Sequence, residues 1–128
     1  MVSNSRMAAR AITRRYDSYV RPYGVTATQL SLLAAVQMLP GSTVSALADK
    51  RGFERTTLTR NLDKLEQMGL VTSTARGRAR VPALTDKGVV LLADVLPLWR
   101  KAQEDLRADL SSDTFSDGIN LLKRLAKV

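Results

Sequence analysis

Apolar residues recur at helical spacing along most of the chain and alternate at strand spacing in one short stretch. Over residues 5–20, Ile12, Tyr16, Tyr19 and Val20 form an apolar stripe, and Arg6, Arg10 and Arg14 form a row on another side. Arg21-Pro22-Tyr23-Gly24 ends that helix, since proline disfavours helix in the residue before it and glycine frees the next turn. Thr26-Ala27-Thr28-Gln29 matches a capping box, in which a hydroxyl and an amide side chain satisfy free N–H groups at a helix start. A helix through Leu30, Leu33, Ala34 and Met38 follows and closes at Leu39-Pro40-Gly41-Ser42. Thr43 can cap a short helix, VSALADKR, which ends at Gly52.

Glu54 to Leu70 reads ERTTLTRNLDKLEQMGL. Leu58, Leu62, Leu65 and Met68 fall at i, i+4, i+7 and i+10, on one helical face. Arg55, Thr56, Thr59, Arg60 and Lys64 fall largely on the opposite face. Gly69 is placed to end the helix in a left-handed conformation, and Glu54 is a weaker cap than Ser or Asp. Two short helices joined by a tight turn form a helix-turn-helix pattern. The second has a face of guanidinium, hydroxyl and ammonium groups, suited to phosphates and base edges. Taken alone, such a face is more often simply solvated, and it is the flanking segments that favour the binding reading.

After Gly69 the period changes. Leu70 to Thr74 are mostly strand formers, Ala75-Arg76-Gly77-Arg78 can turn, and Arg80 to Leu84 can pair back. Alternation places Ala79, Val81 and Ala83 on one face and Arg78, Arg80 and Pro82 on the other. Pro82 cannot donate to a ladder, so it belongs at an edge or bulge. A hairpin in this position is a wing. Thr85 caps a long helix from Asp86, with Leu92, Leu96, Trp99, Leu106 and Leu110 at helical spacing and Pro97 expected to kink it. Ser111-Ser112-Asp113 separates it from a last helix with a stripe of Phe115, Ile119, Leu122 and Ala126.

Composition narrows the chemistry. The 128 residues suffice for one domain with a core. No apolar run approaches the ~18 residues of a membrane span, and no signal-peptide pattern opens the chain. Cysteine and histidine are both absent, which removes thiol chemistry and the commonest general base and metal ligand. No catalytic residue, metal or cofactor is expected. The net charge is +8, and residues 1–80 carry 13 Lys or Arg against 5 Asp or Glu, while residues 81–128 carry 7 of each. The excess therefore lies with the helix-turn-helix, as for a polyanion binder.

The run TVSALADKRGFERTTLTRNLDKLEQMGLV followed by ALTDKG resembles the multiple-antibiotic-resistance regulator (MarR) family of winged helix-turn-helix transcription factors. Arg55, Thr56, Thr57, Thr59, Arg60, Leu65, Glu66, Gly69, Leu84, Thr85 and Gly88 match its motifs. The wing departs from it: the family commonly carries an acidic-acidic-arginine run there, and this chain reads ARGRAR. Arg78 is the nearest match to the family's wing arginine, with Arg76 and Arg80 as alternatives.

The resemblance implies a mainly α fold with a small β-hairpin wing. A single domain over 1–128 would hold a DNA-binding part at 26–88 and a helical dimerisation part at 1–25 and 89–128. It implies a cytoplasmic homodimer on double-stranded DNA, reading an inverted-repeat operator, and a repressor released by a small aromatic, anionic effector. The expected DNA-binding residues are Thr43, Ser45, Arg55, Thr56, Thr57, Thr59, Arg60, Lys64, Arg76, Arg78 and Arg80. Ile12, Leu106, Leu110, Phe115, Ile119 and Leu122 are expected at the dimer interface. Arg15, Tyr16, Tyr19, Tyr23 and Trp99 are candidate effector contacts, although aromatics at this spacing more often serve as core. The competing readings are a winged domain for protein–protein contact that does not bind DNA, and an enzyme. The intact RTTLTR disfavours the first, and the absence of any recognisable catalytic constellation disfavours the second.

Overall fold

The computed structural model describes residues 1–128. Its elements are α1 (Val2–Val20), a 3₁₀ turn (Arg21–Tyr23), α2 (Ala27–Met38), α3 (Val44–Arg51), α4 (Arg55–Gln67), β1 (Val71–Arg76), β2 (Ala79–Leu84), α5 (Asp86–Leu110) and α6 (Ser112–Leu125).

The fold is built around α2. Its capping box forms as the sequence predicts: Gln29 N donates to Thr26 Oγ1 at 3.1 Å, and Thr26 N donates to Gln29 Oε1 at 3.0 Å. Asp17 of α1 accepts from Ala27 N at 2.6 Å and pins the corner between the two helices. The helix runs through Leu30, Leu33 and Ala34 and ends at Met38, as the sequence predicts. Met38 is 66% exposed, while Leu32, Ala35 and Val36 join Leu30 and Leu33 inside. The reason is position: α2 touches α1, α3, α4, α5 and β2. A helix enclosed on nearly every side is apolar all round and shows no single stripe.

α3 and α4 form the helix-turn-helix. Thr43 Oγ1 accepts from Ala46 N at 3.2 Å, and Gly52 adopts φ +71°, the left-handed conformation that the short turn demands. Leu58, Leu62 and Leu65 are fully buried with Leu47. Each such leucine contributes on the order of 1.5–3 kcal/mol. Glu54 makes no side-chain cap to α4, in keeping with its weak capping chemistry.

The hairpin is tighter than the four-residue turn that the sequence suggests. Arg76 pairs with Ala79, so only Gly77 and Arg78 turn the chain, and Gly77 has the positive φ that a glycine-first two-residue turn requires. Ser73 pairs with Pro82. Pro82 is buried and Ala83 exposed, so the Arg80–Pro82 face turns inward. Both strands are edges, so the missing N–H of Pro82 costs no ladder bond.

Thr85 ties the wing to α5: its hydroxyl donates to the Gly69 carbonyl at 2.6 Å and accepts from Gly88 N at 3.1 Å. A Cβ on Gly88 would stand 2.1 Å from the Leu70 carbonyl oxygen, so only glycine lets α5 pass this close. α5 runs unbroken through Pro97. Ser111, at φ +73°, joins α5 to α6, and its hydroxyl accepts from Thr114 N at 3.3 Å. α1 and α6 both pack on α5, yet α1 buries only Val20 and α6 only Phe115. No helix is long and apolar enough to cross a membrane.

Candidate nucleic-acid interface

The outer face of α4 carries Arg55, Thr56, Thr59 and Arg60 around an open concavity of about 460 Å³ that has no apolar side chain in its lining. A smaller groove of about 160 Å³ adjoins it. There Thr43 and Ser45 from the start of α3 meet Arg55 and Thr59 of α4, and Arg78 and Arg80 of the wing. Residues 37 positions apart in sequence thus line one cleft. The helix period puts the α4 groups on one side, and packing of Leu58, Leu62 and Leu65 into the core turns that side to solvent. The result is a polar, cationic surface whose guanidinium forks and hydroxyls match phosphate oxygens and purine edges.

Not every expected contact lies here. Thr57 is half-buried, lines neither groove and accepts at its carbonyl from Asn61 Nδ2 at 3.0 Å. Lys64 is exposed one turn beyond Arg60 and lines neither groove. Arg76 donates to the Gly41 carbonyl at 3.0 Å, which ties the wing to the α2–α3 loop. Arg80 reaches inward to α4. Its Nη1 lies 2.9 Å from Asp63 Oδ1, its Nη2 3.0 Å from Glu66 Oε1, and its Nε donates to Ser73 Oγ at 3.1 Å. Ser73 in turn donates to the Glu66 carboxylate. That hydroxyl first, and Arg80 second, hold the Glu66 carboxyl below its ordinary range. Of the three wing arginines, only Arg78 is without such a partner.

Asp63 lines the α4 concavity, which the sequence reading missed. Its spacing three residues after Arg60 was the available signal, because i and i+3 share a helical face. Glu66 and Ser73 gave none, since their roles arise only when the wing folds onto α4.

The expected effector residues divide. Tyr16 and Trp99 come together with ring centroids 4.6 Å apart. They line a mostly apolar cavity of about 460 Å³ with Ile12, Leu106, Phe115, Ile119 and Leu122. Thr13, Thr28, Ser31 and Gln103 supply its polar groups. Arg15, Tyr19 and Tyr23 are not in its lining. Arg15 pairs with Asp109, and Tyr19 donates to Asp105 Oδ2 at 2.6 Å, so both face α5 as two rungs of a ladder. Tyr23 is exposed. Of the expected interface residues, Ile12, Leu110, Ile119 and Leu122 are exposed in the single chain, and Phe115 is covered by the Arg107 guanidinium at 4.8 Å.

Comparison with known proteins agrees with this geometry. A sequence model of the MarR family matches residues 23–80. The transcriptional regulator MosR of M. tuberculosis superposes with a TM-score of 0.85 at 36% identity, covering 100% of this chain and 96% of that one. MosR in complex with DNA gives 0.83 at 37% identity, covering 99% and 96%. The transcriptional repressor CouR, bound to a 23-mer DNA duplex, gives 0.85 at 27% identity, covering 98% and 92%. The chain belongs to the MarR family and is a DNA-binding transcriptional regulator.

Proposed function

We propose that a homodimer of this chain reads an inverted-repeat operator in double-stranded DNA, with one α4 in each of two successive major grooves, and represses transcription there. The convergence of Thr43, Ser45, Arg55, Thr59 and Arg78 on one cleft carries this reading. Arg55, Thr56, Thr59 and Arg60 meet base edges near the start of α4, and Arg78 meets phosphate or the minor groove. DNA complexes of MosR and CouR support it, since both proteins share the fold over nearly the whole chain. The exposed apolar faces of α1 and α6 support dimerisation. Footprinting on the DNA upstream of its own gene tests it directly: a protected inverted repeat is expected. Equal affinity for that DNA and for random duplex across a salt series would defeat it.

The cavity between α1, α2, α5 and α6 is the site at which a small aromatic effector would bind and release DNA. Its volume lies in the range of small-molecule sites. Tyr16 and Trp99 supply the aromatic wall, and Thr13, Thr28, Ser31 and Gln103 would meet the effector's polar or anionic edge. A thermal-shift series with aromatic acids, run beside DNA affinity, tests this part. An acid that stabilises the protein and weakens operator binding is the expected result.

A further inference from the structure

We propose that Arg80 is a positioning residue: it clamps the wing to the recognition helix and thereby sets where Arg78 meets DNA. The inference rests on the DNA-binding reading above and assigns separate tasks to the wing arginines. All three nitrogens of the Arg80 guanidinium are engaged, by Asp63, Glu66 and Ser73 at 2.9–3.1 Å. A single cation held between two carboxylates has no net positive charge to offer a phosphate. Meeting DNA would require it to give up two charge-assisted bonds.

The clamp also acts on the reading surface. Asp63 lines the α4 concavity beside Arg55, Thr56, Thr59 and Arg60. A free carboxylate in that position repels the DNA backbone, and Arg80 offsets its charge. On the other side of the hairpin, Arg76 holds the Gly41 carbonyl. The wing is therefore fastened at two points, to α4 and to the α2–α3 loop. Arg78, at the two-residue turn, is left as the projecting cation beside Thr43, Ser45 and Arg55.

The test uses the full-length protein, the footprinted operator and random duplex, over a salt series. Arg80→Ala should weaken operator binding roughly tenfold, equivalent to one charge-assisted hydrogen bond, and should cost little further once Arg78 is already alanine. Arg78→Ala should lower the slope by about one. Arg80→Lys should behave like Arg80→Ala, because one ammonium keeps the charge but cannot fork onto two carboxylates and a hydroxyl. In an Asp63→Asn/Glu66→Gln background, Arg80→Ala should cost nothing further. Without DNA, the β1 and β2 amides should exchange faster in Arg80→Ala than in the wild type. Affinity restored by lysine, equal cost in both backgrounds, and a further drop of about one in salt slope when Arg80→Ala is added to Arg78→Ala would make Arg80 a phosphate contact and overturn the proposal. If the wild type shows no salt-dependent affinity for any duplex, the DNA-binding reading fails separately. The clamp is then decided by exchange alone, and unchanged exchange in the hairpin sinks it.

Discussion

The winged half and the terminal helices of this chain handle their apolar surface in opposite ways. From Val25 to Val95 the molecule closes on itself: all but one of the 17 core residues lie in that span. The leucines of that core sit at zero or near-zero exposure, and caps and short-range bonds satisfy the helix starts around it. α1, the end of α5 and α6 leave Ile12, Leu110, Ile119, Leu121, Leu122 and Leu125 open to water. An exposed apolar face of this kind marks an interface in a soluble protein. The first region buries its apolar side chains within its own chain, and the second leaves an apolar face that suits the dimer proposed above.

The contrast breaks most sharply at Leu62. Leu62→Ala removes a fully buried side chain from the closed half and should cost about 2–5 kcal/mol. Denaturant unfolding of wild type and variant at equal concentration checks this. A loss below about 1 kcal/mol would mean that the site relaxes and that the core is not close-packed there.

Leu122→Glu probes the other half. Leu122 is 55% exposed in the single chain, so a charge there costs little within one copy. Across a two-fold interface it enters twice, at on the order of 1.5–3 kcal/mol for each copy. Sedimentation should show the wild type at about twice the 14.1 kDa chain mass and the variant dissociating at micromolar concentration. An equally tight dimer in the variant would place the interface elsewhere.

These two positions also show what the sequence makes legible. Leu58, Leu62 and Leu65 could be read as core because helical period alone sorts them, and the Thr26–Gln29 box because capping is local. The grouping of Arg80 with Pro82 was equally readable, since alternation is local too. Which of the two hairpin faces turns inward was not, because Asp63 and Glu66 decide it from another element. Arg15 and Tyr19 are the same case. Their partners Asp109 and Asp105 lie 94 and 86 residues away, and no local signal distinguishes them from residues that face a ligand.

Within the winged half, Arg60→Ala and Arg78→Ala should fail differently. Loss of Arg60 should cost about 1–3 kcal/mol on the operator and much less on random DNA. Loss of Arg78 should weaken both by similar factors. If Arg60→Ala weakens operator and random DNA equally, α4 is only a basic anchor and base reading belongs elsewhere.

The smallest expected effect compares the two halves through their carboxylates. Ser73 and then Arg80 hold the Glu66 carboxyl below its ordinary range, and the Tyr19 hydroxyl, foremost, does the same for Asp105. In each case the unfolded chain binds a proton at a higher pH than the folded one. The stability each group contributes is therefore fully present above its unfolded value, about pH 4. It is lost as pH falls through the lowered folded value. Glu66 is 35% exposed and Asp105 40%, so solvent screens both and the losses should be small. Acid titration of thermal stability in wild type, Glu66→Gln and Asp105→Asn separates them. Each variant should lose less stability on acidification than the wild type, and amide exchange should localise the Glu66 difference to the β1–β2 hairpin and the Asp105 difference to the α1–α5 contact. A Glu66→Gln profile parallel to the wild type would mean that the wing's attachment to α4 does not depend on that carboxylate being charged.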